Sequence, residues 1–202
     1  DISGWLRLSF VPGIGCVLGS RLLDSFGSPA AVFAASRDAL GAICGASLAD
    51  AIAAAPPAST RQAIARTLEW LATPGNHVLT LHDPAYPRML REIYDPPLLL
   101  YAVGRVELLS APSVAIVGSR NATTQGRANA QAFAQAFSNA GLTIVSGLAL
   151  GIDAAAHEGA LAGPGSTVAV IGTGADIVYP SRNHKLAHRI ADEGCIISEY
   201  PL

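Results

Sequence analysis

The chain has 202 residues, of which half are hydrophobic and only 14% are charged, and its formal net charge is −2 at pH 7. This composition excludes a long disordered protein and a uniformly basic nucleic-acid-binding domain. No apolar stretch approaches the roughly 18 residues that a membrane span needs, so we expect no membrane association. The three cysteines are widely spaced and odd in number, which suits neither a disulfide framework nor a zinc site and favours a reducing cytoplasm.

The first third of the chain has the hydrophobic periodicity of helices. Apolar residues recur at helical spacing on both sides of "PGIG" (12–15), and "PPAST" (56–60) ends one helix and caps the next. The turn signal "TPGN" follows at 73–76. These patterns predict an all-helical domain over residues 1–72.

Beyond this point the pattern changes to apolar strands that alternate with amphipathic helices. Such alternation is typical of a parallel sheet that is covered on both faces. Residues 73–202 therefore predict an α/β domain with a doubly wound parallel, Rossmann-like sheet. Because the chain stops shortly after its last predicted strand, we expect this domain to be incomplete at its C-terminal end. Strands are predicted at 77–81, 98–104, 113–118, 142–147, 167–172 and 195–199, with helices at 124–140, 152–162 and 183–193 between the last four.

Three of these strands end in glycine, at Gly118, Gly147 and Gly172, and each glycine opens a loop of small and polar residues. In an open parallel sheet, ligands bind beyond the carboxyl ends of the strands, where glycine lets the backbone approach and helix N-termini favour anions. Arg120 adds a planar, permanently charged guanidinium that suits a phosphate. Lys185, the only lysine of the chain, follows the third of these strands. Together these features predict a site for a phosphate-bearing ligand.

The loop sequences disfavour the common nucleotide cofactors. "GSRNAT" (118–123) lacks the second and third glycines of a dinucleotide-binding turn, and no glycine is followed by Lys-Ser or Lys-Thr as in a P-loop. We therefore expect neither NAD, FAD nor ATP, and no other cofactor.

Asp153 and His157 are four residues apart, so they share one face of a helix. A structural role, contact with a ligand, and a part in catalysis or metal binding are all open for this pair. Neither Ser119 nor Ser146 sits in a G-x-S-x-G elbow, and the chain offers no convincing triad order. We expect no catalytic residue and no metal site.

Four segments of the α/β part follow one another in a characteristic order: "VAIVGSRNATTQG", "IVSGLALGIDAAAH", "VAVIGTGADIVYPSRNHKLAHRI" and "IISEYP". In this order and at these spacings, they resemble the DNA-processing protein A family (DprA/Smf). A fifth segment, "PAYPRMLREIYDPPLLLYAVG", resembles the lead-in segment of that family, so the resemblance covers nearly the whole chain. The helical N-terminus is similar to the family's small sterile-alpha-motif-like or helix-hairpin-helix-like domain.

The resemblance implies a cytoplasmic, non-enzymatic protein that binds single-stranded DNA. Members of the family act in natural transformation, the competence-linked uptake and recombination of DNA. They protect the incoming strand, help to load the RecA recombinase onto it, and work as homodimers. The family continues beyond "SEYP" into further sheet elements, and some members carry a C-terminal winged-helix-like domain.

Carried over position by position, the resemblance implies a DNA-binding site made of three loops. Gly118, Ser119 and Arg120 correspond to a Gly-Ser-Arg phosphate clamp in the first loop. Because Tyr179 is the only aromatic residue near the pocket, we expect contacts mainly to phosphate and sugar, with marked salt dependence. The remaining site residues are Ser146, Gly147, Gly151, Asp153, His157, Gly172, Gly174, Tyr179, Pro180, Asn183 and Lys185.

Two alternative functions are also open for the predicted pocket. One is a sensor of a small nucleotide, and the other is a phosphoribohydrolase-like enzyme, although "IGTGADIVYP" (171–180) lacks the glutamate that such an enzyme needs. In the helical domain, "PGIG" is either a tight turn between helices or a set of backbone N–H groups for a phosphate. Since only Arg21 follows it in the next helix, we expect an accessory or interaction module there.

Overall fold

Six helices occupy the N-terminal part of the computed structural model, which describes residues 1–202. Their ends follow local sequence signals. Ser28 and Ser36 cap α3 and α4, because each side-chain oxygen accepts a hydrogen bond from the backbone N–H three residues later. Gly27 adopts a left-handed conformation and ends α2. The helices are α1 Ile2–Ser9, α2 Cys16–Phe26, α3 Pro29–Ala34, α4 Arg37–Cys44, α5 Ala46–Ala53 and α6 Ala58–Leu71.

A six-stranded sheet follows, in the spatial order β1-β2-β6-β5-β4-β3. The last four strands are parallel, and three crossover helices connect them. The strands are β1 Asn76–Thr80, β2 Leu99–Gly104, β3 Ser113–Ala115, β4 Thr143–Ser146, β5 Thr167–Val170 and β6 Cys195–Ser198. The helices of this part are α7 Arg88–Arg91, α8 Thr124–Asn139, α9 Ile152–Ala160 and α10 His184–Glu193.

The predicted Rossmann-like α/β class is confirmed, but the sheet differs from a wholly parallel one. β1 pairs antiparallel with β2, and β2 pairs antiparallel with β6. Between β1 and β2 the only helix is the four-residue α7, which is too short for the crossover that a parallel pair requires.

The crossover helices also differ from a doubly wound arrangement. Since the order from β3 to β6 runs in one direction, right-handed crossovers place α8, α9 and α10 in one layer on one face of the sheet. In that layer Ala134 of α8 and Ala156 of α9 belong to one buried cluster, and Ala154 of α9 packs against a second cluster that contains Ile190 of α10. Val168 of β5 and Ile197 of β6 form a separate buried cluster. A 3₁₀ turn (Val106–Ser110), rather than a crossover helix, packs against these two side chains.

One hydrophobic core joins the N-terminal helices to the first two strands. Its 19 buried residues include Leu6 of α1, Leu22 of α2 and Leu100 of β2. Gly19 of α2 lies so close to the side chain of Leu98 that a methyl group at position 19 would collide with it. The domain boundary near residue 72 stays a prediction, since helices and strands on its two sides share this core. None of the ten helices combines the length and apolar character that a membrane crossing requires.

Truncation of this shared core lowers stability. Leu100 is 1% exposed, and Leu100→Ala is expected to reduce the free energy of unfolding by about 2–5 kcal/mol in urea titrations. Leu68 on α6 is 40% exposed and provides the matched control, because Leu68→Ala removes the same atoms from a partly solvated site. Equal losses in the two variants would contradict a core that spans helices and strands.

Candidate nucleic-acid interface

Three loops meet beyond the carboxyl ends of β3, β4 and β5, as expected for neighbouring parallel strands. We call them the first loop (116–123), the second loop (147–151) and the third loop (171–183). They enclose a cavity of about 390 Å³ to which all three contribute. The cavity is lined by Arg120, Gly147, Ala149, Leu150, Ile171, Gly172, Thr173, Tyr179 and Pro180.

Asp153 holds the first loop against the second. Its Oδ1 accepts a hydrogen bond from the N–H of Gly118 at 3.3 Å, and its Oδ2 accepts from the N–H groups of Gly147 at 3.1 Å and Ala149 at 3.4 Å. The residue is buried in the first turn of α9, where the helix dipole favours an acid. Its carboxylate is therefore occupied by the protein's own backbone and does not face the cavity as a free negative charge.

His157 supports the second loop from the core. Its Nε2 accepts a hydrogen bond from the N–H of Leu148 at 3.3 Å, while its Nδ1 lies 2.7 Å from Oγ1 of Thr167. Since that hydroxyl donates to the carbonyl of Ile144 at 2.6 Å, its hydrogen is already used, and Nδ1 must be the donor to it. His157 is thus the neutral Nδ1–H tautomer. Burial lowers the pKa of His157 from 6.5 to about 4, against the opposing attraction of the Asp153 carboxylate.

The second loop contains a leucine in the left-handed backbone region. Leu148 has φ 57° and a buried side chain, a conformation that costs a non-glycine residue on the order of 1 kcal/mol. Asn183 of the third loop donates from Nδ2 to the carbonyls of Leu148 at 2.8 Å and Ala149 at 3.2 Å. Both backbone polar groups of Leu148 are therefore satisfied, one by His157 and the other by Asn183. These hydrogen bonds fix the second loop in a strained shape and attach the third loop to it.

Close backbone contacts restrict other predicted positions. Gly151 has φ 85°, and a Cβ there would lie 2.7 Å from the carbonyl oxygen of Arg120, so the first loop excludes any side chain at this position. Ser146 is buried and donates to the carbonyl of Ile116 at 2.6 Å, which ties the two strand ends together. Gly174 packs against the backbone of Pro201.

The predicted site residues that remain accessible form the outer surface of the three loops. Ser119, Arg120 and Gly172 are exposed, and the ring of Tyr179 is 67% exposed. Arg120 takes part in no hydrogen bond and no ion pair, so its guanidinium is free to bind an anion at the edge of the cavity. Lys185 is also exposed and unpaired, in the first turn of α10 outside the cavity lining. The structure therefore separates an internal framework from a basic surface.

Sequence reasoning missed four residues of the cavity lining. None of them has a side chain that signals binding, and their position directly after or within a strand-end loop was the only available indication. They are Ala149, Leu150, Ile171 and Thr173.

The buried imidazole makes stability depend on pH. In the folded protein His157 stays neutral down to about pH 4, whereas in the unfolded chain it binds a proton near its ordinary pKa of 6.5. The unfolded state binds more protons between these values, so acidification from pH 7 to pH 5 is expected to cost about 2 kcal/mol of unfolding free energy from this group. In urea titrations at both pH values, His157→Gln should remove that part of the pH dependence, and the exposed control His188→Gln should keep it. An unchanged pH dependence in His157→Gln would contradict the assignment.

Comparison with known proteins finds relatives of the part of the chain that forms the sheet. The family model described as DNA recombination-mediator protein A matches residues 77–202. The chain is 48% identical over 128 residues to Protein Smf of Synechocystis sp., a match that covers 61% of this chain and 32% of that protein. It is also 48% identical over 118 residues to DNA processing protein DprA of Streptococcus pneumoniae, covering 58% of this chain and 42% of that protein. These matches span about a third to two-fifths of the length of the two relatives.

Solved structures extend the similarity to the helices. The structure of DprA from Streptococcus pneumoniae superposes with a TM-score of 0.67 at 32% identity and covers 98% of this chain and 66% of that one. DNA processing protein A from Helicobacter pylori, whose structure is described as giving insight into a single-stranded DNA binding mode, superposes with a TM-score of 0.56 at 37% identity over 62% of this chain and 57% of that one. Because the family model covers well over half of its residues, the chain belongs to the DNA recombination-mediator protein A (DprA/Smf) family.

Proposed function

We propose that this protein binds single-stranded DNA, and that the phosphates of the strand lie over the three loops at the carboxyl ends of β3, β4 and β5. The observation that carries the proposal is the free guanidinium of Arg120, which stands at the cavity between the three loops, while the buried carboxylate of Asp153 is bonded to backbone N–H groups. A planar guanidinium forms two parallel hydrogen bonds with a phosphate and stays charged at any physiological pH.

The charges around the loops favour a polyanion. The charged side chains of the three loops are Arg120 and Arg182 against one acid, Asp176, and Lys185 follows directly after the third loop, whereas Arg189 further along α10 is paired with Glu193. The nearby acid Asp153 is buried and hydrogen-bonded to three backbone N–H groups. The electrostatic balance at the loop surface is therefore more positive than the net charge indicates, which suits a strand held by its phosphates.

Stacking surface is limited but present. Tyr179 lines the cavity and is largely exposed, and Ile177, in the same loop, is 53% exposed. A base can stack on the tyrosine ring, and such a contact tolerates any sequence because every base has a π-face. We expect binding with little sequence preference.

The cellular role follows from the family. We propose that the protein protects incoming single strands during natural transformation and helps to load the RecA recombinase onto them. In this proposal it works as a homodimer in the reducing cytoplasm, a compartment that suits three free cysteines, and it catalyses no reaction.

A small nucleotide is the second candidate ligand, because a cavity between glycine-rich loops of this size also suits a nucleoside phosphate. A phosphoribohydrolase-like reaction is less well supported. The buried carboxylate of the site, Asp153, is committed to backbone N–H groups and cannot reach a substrate. Competition of oligo-dT binding by a nucleoside monophosphate distinguishes a nucleotide sensor, which releases the oligonucleotide at low concentrations of the competitor, from a strand-binding protein, which does not.

Charge reversal at the first loop tests the proposal. Arg120→Glu is expected to weaken binding of fluorescent oligo-dT at least 10-fold, because a charge-assisted contact worth about 1.5–3 kcal/mol becomes a repulsion. The slope of log affinity against log salt should also become shallower by about 0.7, the single-strand value for one lost phosphate contact. Fluorescence anisotropy at several salt concentrations measures both quantities. The matched control is Arg61→Glu on α6, which makes the same charge change on an exposed arginine of the helical part and should leave the affinity within about twofold.

The third loop is tested through its aromatic ring. Tyr179→Ala is expected to weaken oligo-dT binding by about 1–3 kcal/mol, or 5- to 150-fold, while Tyr179→Phe keeps the stacking surface and binds like the unchanged protein. Anisotropy titrations at one salt concentration are sufficient, because the loss should leave the salt slope unchanged. If Tyr179→Phe lost as much affinity as Tyr179→Ala, the ring would not be a stacking surface.

A further inference from the structure

We propose that His184 and His188 form a binding site for a divalent transition-metal ion, with Zn²⁺ as the best fit. The two residues lie one turn apart on α10, and both side chains are exposed. Residues four apart share one face of a helix, so their imidazole rings project side by side. Their ring centroids are 4.4 Å apart, and their Nε2 atoms are separated by 3.3 Å.

The separation of the two nitrogens matches the spacing of two ligands on one metal ion. Two Zn–N bonds of about 2.0–2.1 Å that enclose a tetrahedral angle of about 109° place the nitrogens about 3.3 Å apart. A square-planar ion, with an angle of about 90°, requires about 2.9 Å and so a small rotation of the rings. The observed distance of 3.3 Å thus matches the separation of two nitrogen ligands on a tetrahedral zinc ion.

Both nitrogens are available to a metal ion. The only hydrogen-bonding contact of either Nε2 is with the other, and no carboxylate pairs with either ring. Neutral imidazole is a good ligand for Zn²⁺, Cu²⁺ and Ni²⁺. A metal ion would replace one weak contact between two rings by two coordinate bonds.

The helix holds the two ligands in place before the metal binds. On its opposite side α10 buries Leu186, Ala187 and Ile190 against the sheet, so its backbone does not have to order on binding. No group of three or more His, Cys, Asp or Glu side chains lies together in the structure, so the chain supplies two ligands here. The other coordination positions are open to water or to an oxygen atom of another ligand.

Metal titration of the full chain tests the proposal. Isothermal titration calorimetry with ZnCl₂ is expected to give one ion per chain, and either His184→Ala or His188→Ala should weaken binding at least about tenfold, since loss of even an outer-shell partner costs about 10–100-fold. His82→Ala is the control, because this exposed histidine lies in the region before α7 and should keep full affinity. Both ligand positions are exposed, so the variants are expected to fold, and far-UV circular dichroism checks that they do.

Copper provides a second readout that does not depend on affinity. With one equivalent of Cu²⁺, electron paramagnetic resonance should show coupling to two imidazole nitrogens in the unchanged protein and to one in either single variant. Absence of metal binding, or a Cu²⁺ spectrum that is the same in His184→Ala and in the unchanged protein, would overturn the proposal. Zinc binding that is lost only on His82→Ala would place the site elsewhere and overturn it as well.

Discussion

The second loop can keep its shape only because three buried polar side chains, two on α9 and one in the third loop, hold it. Leu148 carries a left-handed backbone in this loop, with its side chain in the core. Asp153 and His157, both on α9, accept hydrogen bonds from the N–H groups of the loop, and Asn183 donates to its carbonyls. A left-handed leucine without these partners would leave buried backbone groups unsatisfied, at a cost of about 1–3 kcal/mol each. The geometry of the whole candidate interface depends on this constraint.

The same network explains why a buried carboxylate and a buried histidine are compatible with the anion-binding surface that we propose above them. The charge of Asp153 is directed into backbone N–H groups, and His157 is held neutral by burial. Neither group therefore contributes a free charge at the surface, where Arg120 stands unpaired. The residues that hold the loops, Asp153, His157 and Asn183, are thus separate from the exposed residues that we propose meet the ligand, Arg120 and Tyr179.

Much of this arrangement could be predicted from the sequence. Apolar runs that end in Gly118, Gly147 and Gly172 located the loops, and Arg120 indicated an anion. Strand direction was not predictable in the same way, because the apolar pattern of β2 is the same whether it runs parallel or antiparallel to β6.

The sequence also could not decide whether Asp153 and His157 have a structural role, contact a ligand, or take part in catalysis or metal binding. Four-residue spacing puts them on one helix face, but only the folded chain brings Gly118 to the carboxylate and Leu148 to the imidazole. For the same reason the sequence predicted no metal site at His184 and His188. The separation of their Nε2 atoms depends on side-chain rotamers, which spacing alone does not specify.

The measurement that tests the central claim most directly is the position of a bound single strand on the protein. Oligo-dT containing 5-iodouracil can be photocrosslinked to the full chain, and mass spectrometry of the digested product identifies the attached residue. If the strand lies over the three loops, crosslinks should map to Tyr179 or to neighbouring residues of the third loop, which carries the exposed ring of the cavity. Crosslinks confined to the helical part, at residues 1–72, would contradict a DNA site at the carboxyl ends of the parallel strands.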